Sequence, residues 1–440
     1  MTATSIADST SPKLLEVMER ARDPQYVFLA LAHLIDEAAL ARAFRRIRKG
    51  AAVGVDGVTK EQYEQDLERN LRDLHGRLRA MRWRHQPIQR VHIPKEKGKT
   101  RPIGISTIED KVVQGALRDV LEAVYEPIFK DCSYGFRRGR SAHDALRALN
   151  QALFKGNVSW ILEIDVESYF DSIDRKMLME MIQERVVDGS LKRLIGKCLH
   201  VGVLDGAEYA EPDEGTAQGS ALSPLLGNIY LHHVLDVWFE RDVLPRLEGK
   251  AQLIRFADDA VIGFEREDDA RRVMEVMGKR FARYGLRLHP EKSRVVAFRR
   301  PDRTDKGGKG PGTFDFLGFT HYWRRARSGR WMPGLKTRKA RLRRFVVTVA
   351  DWCRGHRHEP VEEQHAALSR RIAGHFNYFG INGNVPCLRQ VQRACQSAWH
   401  KWLNRRSQRA SRNWKQFTEL LQRYPLPRAR VYVQFWRAAP

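Results

Sequence analysis

The chain has 440 residues, of which 42% are hydrophobic and 30% charged, so it can form about two or three packed units and is not a disordered polymer. Its net charge of +25 at pH 7 indicates a polyanionic partner, and nucleic acid is the usual one. The competing interpretation is a soluble enzyme whose surface is merely basic.

The positive charge is concentrated toward the C-terminus. Residues 331–440 contain 22 Lys or Arg against 5 Asp or Glu, so this quarter of the chain carries +17 of the total charge. Such an asymmetry favours a separate binding module over a uniformly basic surface.

The five cysteines predict neither a metal site nor a disulfide framework, because none lies in a Cys-x-x-Cys pair or at His/Cys metal spacing. We expect reduced thiols and a cytoplasmic protein without a secretory signal. The apolar stretch 26–44 is interrupted by His33, Asp36 and Glu37, so no membrane anchor is predicted.

The N-terminal 22 residues are polar and are expected to be loose at their start. Asp23 and Pro24 predict a helix N-terminus, followed by an amphipathic helix that ends at about Gly50. Residues 53–59 (VGVDGVT) predict a turn with two glycines, and residues 61–82 predict another helix.

The middle of the chain mixes strands and helices. Apolar alternation predicts strands at 91–94 and 158–166, and helical periodicity predicts helices at 111–129 and 142–154. Glycine, proline and charged residues at 300–312 indicate a loop or a β-hairpin insertion.

Beyond Trp331 the pattern is helical to about Arg423, with breaks near 358–360 and 380–386. The expected fold class is therefore α+β, with a mixed catalytic body followed by an all-helical basic domain.

The first acidic pattern is ILEIDVESYF at 161–170. In a strand, Glu163, Asp165 and Glu167 share the face opposite the apolar side chains. A carboxylate on such a strand is often a ligand, although an exposed edge strand would give the same pattern.

The second acidic pattern is LIRFADDAVIGF at 253–264, which predicts a β-hairpin with Asp258 and Asp259 at its tip. Adjacent like charges destabilise each other unless they share a cation, and hard carboxylate oxygens favour Mg²⁺. Together with Asp165, the pair supplies what a two-metal phosphoryl transfer requires: one ion activates the attacking 3′-hydroxyl and the other stabilises the leaving pyrophosphate.

The chain resembles the group II intron-encoded reverse transcriptases and maturases. The resemblance extends over nearly the whole chain, in blocks that follow the family's order: VGVDGVT (53–59), IPKEKGKTRPIGI (93–105), SYGFRRGRSAHDAL (133–146), GTAQGSALSPLLGNIYL (215–231), GLRLHPEKS (285–293), FDFLGF (314–319) and RIAGHFNYFGINGN (371–384). It implies a right-hand polymerase with fingers and palm, followed by a helical thumb or maturase domain.

The resemblance also implies a catalytic role for three aspartates. Asp165, Asp258 and Asp259 match the residues that bind two Mg²⁺ ions in the family, with the Val166 carbonyl assisting.

Five further residues match positions that bind the incoming nucleotide. Lys95 and Arg101 match the basic pair that holds the triphosphate, as cations facing a tetra-anion. Gln218 matches the residue beside the nucleotide sugar. Phe170 matches the aromatic gate that rejects a ribose 2′-hydroxyl, unless it is a core phenylalanine. Lys292 is a candidate general acid for pyrophosphate, with a surface lysine as the alternative.

Three residues are expected near the primer. Leu317 and Gly318 match the turn that supports the primer end. Phe256 stands where the family usually has tyrosine, which leaves metal binding intact but puts contacts near the primer in question.

The C-terminal domain is expected to bind RNA through Arg338, Arg405, Arg406 and Arg409. Four tryptophans lie among its arginine runs: Trp352, Trp399, Trp402 and Trp414. We expect most of them to be core residues rather than surfaces for base stacking.

The expected domains are a helical extension (1–50), fingers (51–155), palm (156–330) and thumb or maturase domain (331–440). The resemblance implies an RNA-directed DNA polymerase whose partners are an RNA template, a DNA primer or target DNA, and dNTPs. It also implies a maturase that binds its parent group II intron RNA to promote splicing and retrohoming. Two alternatives stay open: a defence or CRISPR-adaptation reverse transcriptase, and a splicing cofactor without polymerase activity. The oligomeric state is not predicted.

Overall fold

The computed structural model describes residues 11–94, 100–205, 208–210, 215–216, 219–301, 312–326, 328–406 and 411–435. The chain divides into two compact units. Unit 1 consists of Met1–Leu149 and Leu162–Val295, and unit 2 of Asn150–Ile161 and Val296–Pro440. Within the described ranges, no helix is both long enough and apolar enough to cross a membrane.

Helices make up much of unit 1. Those that begin in it are α1 (Pro12–Arg20), α2 (Glu37–Arg46), α3 (Lys60–Gln65), α4 (Leu67–Arg79), α5 (Ile108–Tyr125), α6 (Ala142–Lys155), α7 (Arg175–Gln183), α8 (Gly189–Leu199), α9 (Ser223–Leu231) and α10 (Glu267–Arg283).

The N-terminal helices differ from the prediction. The prediction of one helix from Pro24 to Gly50 is wrong, because α1 lies earlier in the chain and α2 begins only after Asp36. The Asp36 carboxylate caps α2 by accepting a hydrogen bond from the Ala39 amide at 2.8 Å. The backbone of Phe28 instead hydrogen-bonds to the segment that follows α7. This tertiary pairing requires extended backbone where the amphipathic pattern favoured a helix.

Helix α5 is the buried central helix of unit 1. Its N-cap is Thr107, whose hydroxyl accepts the Asp110 amide at 3.2 Å. Gly115 allows α2 to approach closely, because a Cβ at this position would lie 3.1 Å from the Ala43 methyl group. Asp119 adds a short ion pair to Arg46 of α2.

Two sheets in the chain position the predicted site. The strands of the first are β1 (Ile88–Pro94), β2 (Thr100–Ile105), β4 (Val203–Asp205) and β5 (Glu208–Ala210), in the order β2-β1-β4-β5. The strands of the second are β3 (Trp160–Ile164), β6 (Ala251–Phe256), β7 (Asp259–Phe264) and β8 (Arg294–Ala297), in the order β6-β7-β3-β8. The strands and helices predicted from 91 to 166 are thus confirmed, with ends shifted by a few residues.

In its described residues, the rest of unit 2 combines a small sheet with four α-helices. The strands β9 (Phe314–Phe316), β10 (Phe319–Arg325) and β11 (Trp331–Thr337) are antiparallel, in the order β11-β10-β9. The helices are α11 (Lys339–Gly355), α12 (Val361–Phe379), α13 (Val385–Leu403) and α14 (Trp414–Arg423). Their shared core includes Val349, Leu368, Ile372, Phe376, Leu388, Val391, Trp399 and Phe417.

The prediction of helix directly after Trp331 is wrong for the first seven residues, which form β11. Pro333 and Gly334 are the physical reason, because proline lacks an amide hydrogen and glycine is entropically costly inside a helix. The two predicted breaks are confirmed, because α11 ends at Gly355 before α12 begins at Val361, and α12 ends at Phe379 before α13 begins at Val385. Most of the predicted loop at 300–312 lies outside the described residues.

Candidate active site

The two adjacent aspartates lie at the end of the hairpin formed by β6 and β7. Phe256 pairs with Asp259, so Ala257 and Asp258 form a two-residue turn. Ala257 has φ 56°, in the left-handed region that glycine usually occupies at this position of a tight hairpin. The predicted hairpin is confirmed, with Asp258 inside the turn and Asp259 exposed at the start of β7.

A fully buried arginine holds this turn from inside unit 1. The Arg255 guanidinium donates to the Ala257 carbonyl at 3.0 Å and to the Asn228 side chain at 3.0 Å. It also forms a bidentate pair with Asp236 at 2.6 and 2.8 Å, and both side chains are fully inaccessible to solvent. The strained conformation of Ala257 is therefore stabilised by a hydrogen bond to its own carbonyl.

The partner of Arg255 belongs to an irregular helical segment. After α9 the chain continues as a π-helix at His232–Asp236 and a second at Phe239–Val243. Each π turn inserts an extra residue into the helical repeat and changes the direction of the side chains that follow. Asp236, the last residue of the first π-helix, contacts Arg255.

Asp165 follows the C-terminal end of β3 and is fixed by the segment 287–293. The Asp165 carbonyl accepts the His289 amide at 2.8 Å, and the Asp165 amide donates to the Ser293 hydroxyl at 3.1 Å. The next residue, Val166, forms an isolated antiparallel bridge with Leu288. The backbone hydrogen bonds on either side of this bridge are made by the Asp165 carbonyl and the Glu167 amide. Because successive residues of an extended segment point their backbone groups to opposite sides, the Val166 carbonyl points away from the segment 287–293.

The charge of Asp165 acts on the Asp258 carboxyl group. Burial raises the pKa of Asp258, and the negative charge of Asp165 raises that pKa further. The positive charges of Arg101 and Arg255 act in the opposite direction. The fold therefore brings together two carboxylates, from β3 and from the hairpin, that were about ninety residues apart in the sequence.

The chemistry of these side chains fits a divalent cation. Both donors are hard carboxylate oxygens, and their mutual repulsion is relieved by positive charge between them. Within the described ranges, no three His, Cys, Asp or Glu side chains are arranged as a complete metal site. The Asp165 and Asp258 side chains therefore fit a divalent cation by the type and the charge of their donor oxygens.

Lys292 contacts the Asp165 carboxylate. Its ammonium nitrogen lies 2.9 and 3.1 Å from the two carboxylate oxygens, and the side chain is 57% exposed. Lys292 is thus an exposed lysine that pairs with Asp165 and partly neutralises one of the predicted metal-binding groups.

The predicted nucleotide-binding residues are partly described. Arg101 is exposed on β2, and its charge lowers the pKa of both Asp258 and Asp171, although burial keeps both values above normal. Lys95 and Gln218 lie outside the described residues. Gly219, next to Gln218, has φ 116°, and a Cβ there would lie 2.4 Å from the Gly104 carbonyl oxygen of β2.

Phe170 and its neighbour Tyr169 have different environments. Tyr169 is buried, and its hydroxyl donates to the Gly227 carbonyl at 2.5 Å. Phe170 is only partly buried, and its ring lies 3.2 Å from the position a Cβ on Gly227 would occupy. Tyr169 is therefore the core aromatic of this segment, and Phe170 keeps part of its ring accessible.

The predicted primer turn lies in unit 2, between β9 and β10. Leu317 and Gly318 both have left-handed backbone, with φ 49° and 80°. The Tyr378 hydroxyl donates to the Leu317 carbonyl at 2.9 Å, and a Cβ on Gly318 would lie 3.5 Å from the Phe379 ring. The residues that brace the turn thus come from the end of α12.

The arginines predicted to bind RNA also belong to unit 2. Arg338 forms an ion pair with Asp315 at 2.9 Å, and Arg405 lies over the Trp402 ring at 5.2 Å. Arg406 donates to two backbone carbonyls near the start of α12, at 2.6 and 3.0 Å. These three residues are exposed, and Arg409 lies outside the described residues. The four tryptophans differ in burial: Trp399 is a core residue, Trp352 and Trp402 are partly buried, and Trp414 is exposed.

Sequence reasoning missed the buried residues behind the site. Arg255 occurs within the apolar strand LIRF, where a charged residue on a buried face was an available signal. Asp236 and Asn228 gave no such signal, because their roles depend on the π-helical geometry and on contacts distant in sequence.

The chain matches known proteins over the region that contains this site. Residues 93–321 match the family described as "Reverse transcriptase (RNA-dependent DNA polymerase)". Relatives include group II intron-encoded protein LtrA of Lactococcus lactis subsp. cremoris, which is 32% identical over 249 residues, or 54% of this chain and 41% of LtrA. Protein YkfC of Escherichia coli (strain K12) is 35% identical over 243 residues, or 54% of this chain and 63% of YkfC. An uncharacterized 91 kDa protein in the cob intron of Schizosaccharomyces pombe is 42% identical over 163 residues, or 37% of this chain and 20% of that protein.

The hairpin, its aspartates and the matched region define the class: the chain belongs to the reverse transcriptase family. Within that class, the chain is similar to proteins named for introns, among them a group II intron-encoded protein and a protein in the cob intron. The aligned regions span 41% of the length of LtrA and 63% of the length of YkfC.

Proposed function

We propose that the protein is an RNA-directed DNA polymerase that uses divalent metal ions bound by Asp165, Asp258 and Asp259. The observation that carries the proposal is the hairpin of β6 and β7, whose turn presents Asp258 and Asp259 within the region that matches the reverse transcriptase family, with the charge of Asp165 acting on Asp258. Bound Mg²⁺ would activate the primer 3′-hydroxyl and stabilise the leaving pyrophosphate.

The other residues of the site would bind and orient the substrates. Arg101 supplies a cation to the nucleotide triphosphate, and Lys95 supplies a second. Phe170, beside Gly227, limits the space at the sugar and so excludes a 2′-hydroxyl. Lys292, released from Asp165 when a metal binds there, is available to protonate pyrophosphate.

The test is primer extension by the full chain on an RNA template with a DNA primer and Mg²⁺. Asp258→Asn keeps the side-chain volume and removes the charge, so extension should fall by at least about a hundredfold while RNA binding is retained. Asp268→Asn on α10 is a matched control, because this aspartate is 78% exposed and outside the site. Full extension by Asp258→Asn would contradict the assignment of the site.

We further propose that the basic helical region binds a group II intron RNA and promotes its splicing and retrohoming. The support is the charge of +17 on residues 331–440, together with the name of the relative LtrA, a group II intron-encoded protein. Arginines that contact phosphates would supply cations where the folded RNA brings its backbone together.

Splicing of the RNA that flanks the gene tests the maturase proposal. The protein should bind this RNA at least tenfold more tightly than an unrelated RNA of equal length, and it should lower the Mg²⁺ concentration needed for splicing. Equal affinity for both RNAs with no effect on splicing would exclude a maturase and favour an intron-independent, defence-type reverse transcriptase.

A further inference from the structure

Phe136 combines strained backbone with an exposed aromatic ring. Its φ is 59°, in the left-handed region that is unfavourable for a non-glycine residue. The side chain gains little from burial in return, since 58% of the residue is exposed. Only glycine adopts this backbone conformation without strain, so the fold alone does not favour phenylalanine here.

Buried hydrogen bonds anchor the loop around Phe136 in spite of this exposure. The next residue, Arg137, is buried and donates to the Lys130 and Ser133 carbonyls at 2.7 and 2.9 Å. Its guanidinium also pairs with the Glu126 carboxylate at 2.8 Å. The backbone on the C-terminal side of Phe136 is therefore anchored by the buried contacts of Arg137.

The N-terminal side of the loop is attached to the hairpin formed by β6 and β7, which carries Asp258. The Asn228 side chain donates to the Gly135 carbonyl at 2.7 Å, and the Tyr134 amide donates to the Arg255 carbonyl at 2.8 Å. The approach is so close that a Cβ on Gly135 would lie 2.3 Å from the Ala257 nitrogen. The position of Phe136 is thus fixed relative to the turn that carries Asp258.

The rings of Phe136 and Phe256 lie next to each other, with centroids 6.4 Å apart and planes at 39°. Phe256 is two residues before Asp258. The pair therefore forms a preorganised aromatic surface beside the catalytic carboxylates, and an aromatic surface of this kind can stack on any nucleobase without reading its identity.

We infer that Phe136, together with Phe256, stacks on a nucleobase of the primer–template next to the reacting end. This inference rests on the proposed polymerase function and adds a substrate-binding residue to it. The hydrogen bonds on both sides of Phe136 then fix the backbone that carries the ring before nucleic acid binds, so that less conformational freedom is lost on binding.

The experiment compares the full chain with Phe136→Ala, Phe136→Trp and Phe136→Gly. Loss of one base–aromatic stack should raise the Kd and KM for the primer–template by roughly 5- to 150-fold in Phe136→Ala, with a smaller effect on kcat. Phe136→Trp should restore binding to within about threefold of wild type, because it restores the aromatic face.

Phe136→Gly separates stacking from a purely structural role. Glycine relieves the strain at φ 59°, so the variant should melt at a higher temperature than Phe136→Ala while binding primer–template equally weakly. Phe154→Ala is the aromatic control, since Phe154 is 47% exposed but its ring faces the Arg300 guanidinium at 5.8 Å. This control should bind primer–template like the wild type.

Abasic nucleotides identify which base is stacked. An abasic primer 3′ terminus in one arm, and an abasic template position opposite it in the other, should each be tested with wild type and Phe136→Ala. If wild type and Phe136→Ala bind the substrate of one arm equally well, the base removed in that arm is the one that stacks on Phe136. Unchanged binding of intact primer–template by Phe136→Ala would overturn the inference. Because equilibrium binding needs no catalysis, it would still test Phe136 if the wild type failed to extend primers.

Discussion

Arg255 places a positive charge in the interior of unit 1, where its guanidinium is fully buried. Such a charge is tolerated because Asp236 neutralises it and because Asn228, Ser133 and the Ala257 carbonyl accept its remaining hydrogen bonds. The same side chain therefore stabilises the core and fixes the turn that contains Asp258.

Removing Arg255 should harm both stability and activity. Arg255→Met leaves the Asp236 carboxylate buried without a partner, so the free energy of unfolding should fall by about 3–5 kcal/mol. Urea denaturation measures this change. Adding Asp236→Leu removes the unpaired charge and should recover part of the stability, but primer extension should remain impaired because Ala257 still lacks its hydrogen-bond donor. Recovery of full activity in the double variant would show that Arg255 does not position the turn.

Phe170→Val should admit ribonucleotides, since a smaller side chain leaves room for the 2′-hydroxyl. The preference for deoxyribonucleotides, measured as the ratio of kcat/KM values, should fall by roughly tenfold or more, equivalent to about 1.4 kcal/mol. Tyr169→Phe is the control, because it removes only the buried hydroxyl bonded to Gly227. It should lower stability by about 1 kcal/mol without changing sugar selectivity. An unchanged preference in Phe170→Val would place the sugar gate elsewhere.

The start of α5 links several elements of unit 1 through buried polar groups. Asp110 accepts hydrogen bonds from the Thr107 hydroxyl at 2.7 Å and from the Gln86 amide at 3.2 Å, and it lies 3.4 Å from the His85 ring. One turn later, Gln114 accepts the Ala221 amide at 3.1 Å. The N-terminal end of α5 thus supports the loop that precedes α9.

Asp110 should make the stability of this element depend on pH. Burial raises the pKa of Asp110 to about 7, above its value in the unfolded chain. Its contribution to stability is therefore complete below about pH 4 and is lost as the pH rises toward 7. Asp110→Asn removes this titration, so its stability relative to wild type should increase between pH 4 and pH 7, by on the order of 4 kcal/mol.

Urea denaturation at several pH values measures the difference for Asp110. Burial lowers the pKa of His85 to about 4, so this group destabilises both proteins as the pH falls below 6.5. Both proteins contain His85, so the comparison reports the effect of Asp110 together with its 3.4 Å contact to the His85 ring. A difference that does not vary with pH would mean that Asp110 stays in one protonation state.

Across the whole molecule, the excess of positive charge lies mainly in residues 331–440. The helices of unit 2 share an apolar core, whereas Arg338, Arg405 and Arg406 are exposed. This arrangement separates the residues that fold the unit from those available to phosphates, and it makes the proposed RNA affinity a matter of electrostatics.

Replacing Arg405, Arg406 and Arg409 with alanine should reduce the salt dependence of RNA binding. Each phosphate contact contributes a slope of about 0.7–0.9 in log Kd against log salt, so the slope should fall by up to roughly 2–3. Filter binding from 50 to about 300 mM salt measures it. Arg271→Ala, Lys279→Ala and Arg241→Ala together form a control of equal charge on exposed residues of unit 1. An equal loss of slope in this control would mean that binding depends on total charge alone.

The sequence by itself predicted the α+β class, the acidic strand, the hairpin with Asp258 and Asp259 and the breaks between the C-terminal helices. These features depend on local periodicity, on turn residues and on the order of the motifs. Tertiary structure decided what local patterns could not: the extended backbone around Phe28 and the π-helical approach of Asp236 to Arg255. It also decided the pairing of Phe136 with Phe256. In each case partners distant in sequence set the conformation, and the free energy of their contacts outweighs the local preference.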